Sequence, residues 1–157
     1  MVEGKRVAVV VPAFEEELLV AETIRGIPDF VDVIVVVDDH SGDETVARAR
    51  ETGDARLEVI EHDENRGVGG AIATGYARCR ALEVDVTCVM AADNQMDPDE
   101  LAALVGPVAR GELEYAKANR LVSGEAWTLI PRSRSRSRAA SSTTRRRTGS
   151  SPGAPGS

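Results

Sequence analysis

The chain has 157 residues, enough for one domain, and its charge is divided: residues 1–130 hold all 26 acids against 12 Lys and Arg, net −14, while residues 131–157 hold seven Arg and no acid. A body this acidic repels nucleic acid and anionic headgroups at long range, so nucleic acid is not expected as a partner, and a phosphate-rich ligand would need a divalent cation or a helix N-terminus to meet it. Cys79 and Cys88 form no Cys-x-x-Cys pair, which argues against structural zinc and for a reduced, cytosolic setting; no apolar run spans a bilayer and no targeting segment is visible.

In chain order, Val7–Val11 is an apolar, valine-rich run that suits a strand buried on both faces, with Pro12 ending it. Glu15–Ile24 shows helical spacing behind an acidic first turn, and Gly26 and Pro28 stop it. Val33–Val37 is a second buried strand running into Asp38-Asp39. Ser41-Gly42-Asp43 is turn chemistry, and Glu44–Thr52 reads as a helix closed by Gly53. Leu57–Ile60 is a short third strand, followed by a polar, glycine-rich loop at Asp63–Gly70 and a helix over Ala71–Leu82. Val84–Met90 is a fourth strand that delivers Ala91–Gln95 at its end. Asp97–Glu100 starts a helix reaching Arg110, with Gly106-Pro107 as a break point, and Tyr115–Asn119 reads as a fifth strand.

Strands alternating with helices predict an α/β domain over residues 1–130, with a mostly parallel sheet covered on both faces. Such sheets bind ligands at the carboxyl ends of their strands, here Pro12–Glu16, Asp38–Ser41 and Asp93–Asp97. Residues 131–157 are Arg-, Ser- and Thr-rich with only alanine as apolar content, so a disordered basic tail is expected. The change near Arg132 is abrupt. A lost reading frame and a genuine basic tail both account for it, and the second keeps open a reading in which the tail meets RNA.

Four segments carry chemistry. In Pro12-Ala13-Phe14-Glu15-Glu16, a turned chain, a ring and a carboxylate suit a nucleobase and ribose; an ordinary acidic helix start is the competing account. Asp38 and Asp39 end a buried strand, where carboxylates cost desolvation unless a base edge, ribose or metal meets them. Capping by Asp39, Ser41 and Asp43 competes with that reading, and His40 reads as a solvated loop histidine. The glycines of Asn65–Ala71 precede a helix, yet they do not follow the first strand and no Gly-Lys-Ser/Thr is present. A dinucleotide fingerprint and a P-loop are therefore both rejected. Asp93 and Gln95, two apart at a strand end, place two hard oxygen donors on one side of an extended chain, suited to Mg2+ or Mn2+ with diphosphate oxygens completing the shell. A helix N-cap cluster is the alternative.

The order and spacing of these segments resemble family 2 glycosyltransferases of the GT-A fold, in particular the dolichyl- or polyprenyl-phosphate sugar synthases, over residues 6–125. The resemblance implies a Rossmann-like sheet, incomplete at its C-terminal side. It also implies that Pro12, Phe14 and Glu16 contact the nucleotide, with Phe14 lacking the hydroxyl of the family's tyrosine. Asp38 and Asp39 would hold base and ribose, and Asp93 and Gln95 the metal; the family's first motif aspartate falls at Ala91. Asn119-Arg120 resembles the segment whose arginine meets phosphate, with Lys117 nearby, so Asp93 and Arg120 are the expected catalytic residues. The implied reaction moves a sugar from a GDP-mannose- or UDP-glucose-type donor to a polyprenyl or dolichyl phosphate, with inversion and metal assistance. The protein would be cytoplasmic and would meet the membrane's cytoplasmic face through its acceptor or a further C-terminal region. A truncated, non-catalytic nucleotide-sugar-binding remnant is the alternative.

Overall fold

The structure, a computed structural model, describes residues 1–117. Val7–Ala13 forms β1, Val20–Gly26 α1, Val33–Asp38 β2, Thr45–Glu51 α2, Leu57–Glu61 β3, Gly67–Ala81 α3 and Val86–Val89 β4; a 3-10 turn at Pro98–Glu100 leads into α4, Leu101–Ala109. All four strands are parallel, in the order β3-β2-β1-β4.

The valine runs become the two central strands because both their faces are covered. Val7, Val9 and Val11 of β1 and Ile34 and Val36 of β2 pack with Ile24 of α1, Ala49 of α2 and Leu101 and Val105 of α4. On the other face, Ala8, Val10, Val33, Val35 and Val37 pack with Ala71 and Cys79 of α3. Handedness explains this division. From β1 through β3 the sheet grows in one direction, and the step to β4 crosses back over β1. Right-handed crossovers in opposite directions put α1 and α2 on one face and α3 on the other. The strand order reverses between β1 and β4, the kind of switch point where open α/β sheets hold ligands.

Several boundaries differ from the sequence reading. β1 runs through Pro12 to Ala13, pairing Pro12 with Val37 and Ala13 with Asp38. Met90 N–H donates to Val10 O, so by alternation the position of Pro12's missing N–H points toward β4, whose pairing with β1 has already ended at Val10–Val89. A proline therefore costs no ladder bond there. The helix expected over Glu15–Ile24 begins only at Val20, because Glu15 is left-handed at φ 54°. α3 begins at Gly67, so most of the glycine-rich segment is its first turn. β4 is limited to Val86–Val89, and α4 continues through Gly106-Pro107 to Ala109. Tyr115–Lys117 forms no strand. The rest of the expected fifth strand, Asn119-Arg120 and the tail at 131–157 lie outside the described residues.

Candidate functional site

The carboxyl ends of β1, β2 and β4 open onto one edge of the sheet. Just past each lies a non-glycine residue with left-handed backbone: Glu15 (φ 54°), His40 (φ 65°) and Asn94 (φ 52°). Such residues cost energy and persist only when their surroundings hold them. The hold on the first loop is visible. The N–H groups of Glu15, Glu16 and Glu17 donate to Ser41 Oγ (2.9 Å), Thr45 Oγ1 (2.8 Å) and Asp43 Oδ2 (3.3 Å). Side chains of the β2–α2 loop and of the first residue of α2 thus take the donors that a helix start would have left open. The turn chemistry read at Ser41-Gly42-Asp43 has this second use: it clamps the two loops together.

A shallow cavity lies between the ends of β1 and β2 and the start of α3, lined by Pro12, Ala13, Phe14, Asp39, Val68 and Ala71. Phe14 and Val68 remain 45% and 67% exposed, whereas Asp39 is 3% exposed. Val68 and Ala71 are three apart, so helical geometry turns both the same way. The sequence reading missed both, because it placed Val68 in a loop and Ala71 at a helix start.

Asp39 is anchored at several atoms. Its N–H donates to Ala13 O (2.9 Å) and its carbonyl accepts from Asn65 Nδ2 (3.2 Å). Oδ1 accepts from Arg66 N–H and from His62 Nδ1, both at 2.8 Å. Burial by itself would raise the Asp39 carboxyl; the N–H of Arg66 and the ring of His62 outweigh it and hold the group below the usual carboxylate range. Its neighbour is incomplete. Asp38 Oδ2 accepts from Ser41 N–H at 3.0 Å, but Oδ1 is buried without a hydrogen-bond partner among the described residues. A buried acceptor left open costs about 1–3 kcal/mol.

The third group is electrostatic. Burial, then the charge of Asp93, then that of Asp43 push the Glu16 carboxyl upward. Acids from three loops therefore share one field, and a cation among them would be favoured. Contrary to the expectation from sequence, Asp93 and Gln95 do not meet by strand alternation. The strand has ended, Asn94 is left-handed, and the contact between the two is Gln95 N–H to Asp93 Oδ1 at 3.1 Å, a turn closed by the backbone. Gln95 is exposed. Among the described residues no group of three or more His, Cys, Asp or Glu could hold a metal ion. Mg2+ commonly takes only one or two carboxylates from protein when substrate phosphates supply the rest.

The site therefore gathers Pro12, Phe14 and Asp39 at one cavity and couples Glu16 to Asp93, with Asp38 buried beneath. Arg120 lies outside the described residues. His62 and Thr74, which stand behind Asp39, had no sequence signal beyond a lone histidine at a strand end.

The profile of the family described as Glycosyl transferase family 2 matches residues 8–156. The UDP-N-acetylglucosamine–dolichyl-phosphate N-acetylglucosaminyltransferase of Methanococcus voltae is 26% identical over 142 residues, covering 81% of this chain and 57% of that protein. The dolichyl-phosphate beta-glucosyltransferase of Drosophila melanogaster is 33% identical over 88 residues, 46% of this chain and 27% of its own length. Among solved structures, glucosyl-3-phosphoglycerate synthase from Mycobacterium tuberculosis, in complex with Mn2+, UDP-glucose and phosphoglyceric acid, matches with a TM-score of 0.57 at 28% identity, over 69% of this chain and 41% of that one. A mannosyltransferase from Pyrobaculum calidifontis with GDP-Man and Mn2+ matches with a TM-score of 0.55 at 28% identity, over 66% and 33%. The expected GT-A class of α/β fold is borne out. The chain spans little more than half of the Methanococcus voltae protein, and less of the others.

Proposed function

The chain belongs to glycosyltransferase family 2, and from that membership we propose that its described residues bind a nucleoside diphosphate sugar at the carboxyl edge of the sheet and present it to a lipid phosphate acceptor. The observation that carries this reading is the cavity of Pro12, Phe14, Asp39 and Val68. Its apolar walls suit a planar ring, and its buried carboxylate can accept from a ring N–H or a ribose hydroxyl. Further support comes from the solved structures, which hold UDP-glucose or GDP-Man with Mn2+, and from the curated relatives, whose names carry dolichyl phosphate.

In this reading Phe14 packs on the base, and Asp39 and Asp38 take hydrogen bonds from base or ribose. Glu16 sits at the ribose side. Mg2+ or Mn2+ held by Asp93, with the Gln95 side-chain oxygen as second donor, would neutralise charge on the leaving diphosphate. A phosphate oxygen of the acceptor attacks the anomeric carbon from the opposite face. The carbon–oxygen bond to the diphosphate breaks, the electron pair leaves with the nucleoside diphosphate, and the configuration inverts. The attacking phosphate is already anionic, so the chain needs no strong general base. Arg120, with Lys117, is assigned to the phosphates. Among the described residues no helix is long and apolar enough to cross a membrane. Contact with the cytoplasmic face is assigned to the lipid acceptor or to a further C-terminal region.

Calorimetry of the whole chain against UDP-glucose and GDP-mannose, with and without Mn2+, tests the reading. Saturable binding of one donor, strengthened by Mn2+, is expected; binding of neither overturns it. A second reading is donor binding without transfer; the chain spans 57% of the Methanococcus voltae protein. Labelled donor incubated with polyprenyl phosphate separates the two.

A further inference from the structure

We propose that His62, backed by Thr74, is a positioning residue for the Asp39 carboxylate, and that the ring fixes the acceptor that the cavity presents. This rests on reading the cavity as the nucleotide site. His62 follows directly on β3 and is 6% exposed. Its backbone N–H donates to Asp38 O at 2.9 Å, which ties the residue to the end of β2. Its ring then spans two elements: Nδ1 meets Asp39 Oδ1 at 2.8 Å, and Nε2 meets Thr74 Oγ1 of α3 at 2.9 Å.

These partners hold the ring at both nitrogens. A carboxylate only accepts, so Nδ1 carries a proton; at Nε2 the Thr74 hydroxyl, able to donate or accept, completes the ring's second hydrogen bond. Thr74 thereby orients the ring, and the ring orients Asp39. The other donor to Oδ1, Arg66 N–H, belongs to the residue that caps α3. Asp39 is gripped from the β3 end by a side chain and from the α3 start by backbone. With the ring gone, Arg66 N–H is the remaining donor of the two to Oδ1, and the acceptor that the cavity presents is held less firmly. A buried histidine satisfied at both nitrogens is also an ordinary structural feature. The two roles differ in what each substitution leaves behind.

His62→Asn keeps an N–H near the Nδ1 position, while His62→Leu fills the space without one. Two measurements on the whole chain decide. Carbon NMR titration of Asp39 needs no ligand: the carboxyl stays depressed in wild type and His62→Asn and rises in His62→Leu. Calorimetry with the better of UDP-glucose and GDP-mannose, in Mn2+, shows affinity about tenfold lower in His62→Leu and within about threefold of wild type in His62→Asn. His62→Gln, whose amide reaches the Nε2 end instead, replaces the leucine variant if that one does not fold, with the same expectation. An unchanged Asp39 titration in His62→Leu, or an asparagine variant as impaired as the leucine one, overturns the proposal. If wild type binds neither donor, the functional reading fails by itself, and the carboxylate titration still decides the role of His62.

Discussion

A methyl group placed on Gly75 would lie 2.2 Å from Cγ1 and 2.8 Å from Cγ2 of Val10. α3 therefore rests on β1 at a distance that leaves no room for a side chain. Val10 is fully buried in a central strand and cannot retreat. Ala71 and Val68, four and seven residues earlier on the same helical face, line the cavity, so the contact that packs the helix also sets that wall. Gly75→Ala gains helix propensity, up to about 1 kcal/mol, but overpacks the core at a cost of about 1–3 kcal/mol. We expect a lower Tm in calorimetry and weaker donor binding. Val10→Ala in the same chain should restore part of both; a double variant no better than the single one would mean the clash is not with Val10.

Glu16 sets a pH dependence of opposite sign to that of Asp54. Its carboxyl is raised by burial, by Asp93 and by Asp43. A carboxyl whose folded value lies above its unfolded one costs stability at high pH, and the cost disappears as pH falls through the folded value toward the unfolded one. Glu16→Gln should therefore raise Tm at pH 7, with the gain shrinking to nothing by about pH 4. Asp54, held low by its side-chain bonds to Arg56, works the other way. Its contribution is present above the ordinary carboxylate value and is lost as pH falls through its depressed one. Tm measured against pH for wild type and Glu16→Gln reads both slopes. A gain that grows in acid would sink the account of Glu16.

The parts of the fold that were legible beforehand are those where one physical cause dominates. β1 and β2 are buried on both faces, so their valines run without interruption, and parallel pairing followed from the alternation with helices. Boundaries failed where a tertiary contact overrode the local signal. Pro12 continues its strand because the neighbouring strand has ended. Residues 15–17 look helical but give their N–H groups to Ser41, Thr45 and Asp43. The site divided the same way. That Pro12, Phe14 and Asp39 come together was readable, because each lies at or just past the carboxyl end of a strand on the same edge. His62 was not, because its meaning lies in two partners, 23 and 12 residues away. The placement of Asp93 and Gln95 assumed extended backbone, which Asn94 does not have.

In the proposed reading, Asp93 is the residue on which metal dependence turns. Its charge reaches Glu16, and one of its oxygens is engaged by Gln95 N–H. Asp93→Asn keeps that turn bond while removing the charge. Donor affinity in Mn2+ should fall to the metal-free level, and the metal-free affinity should hold or improve, since one repulsion of the diphosphate is gone. Gln95→Ala should do less, because its amide is neutral and exposed. Titration of Mn2+ followed by electron paramagnetic resonance, with donor present, gives the ion's occupancy directly. Unchanged metal-dependent binding in Asp93→Ala would remove this site from consideration.

Asp38 separates a ligand role from a folding role. Its Oδ2 is satisfied by Ser41 N–H at 3.0 Å, and its Oδ1 is buried with no partner among the described residues. In Asp38→Asn the amide oxygen can still take the Ser41 N–H, and the buried charge is gone, so the protein without ligand should be at least as stable. The amide nitrogen then stands where Oδ1 stood, a donor in place of an acceptor. A nucleotide that donates to Oδ1 loses that bond and meets a second donor. The donor-induced rise in Tm should therefore shrink in Asp38→Asn even as the ligand-free Tm holds or climbs. The reverse pattern, a falling ligand-free Tm with an intact rise, would mean that the open oxygen belongs to the packing of β2 and faces no ligand.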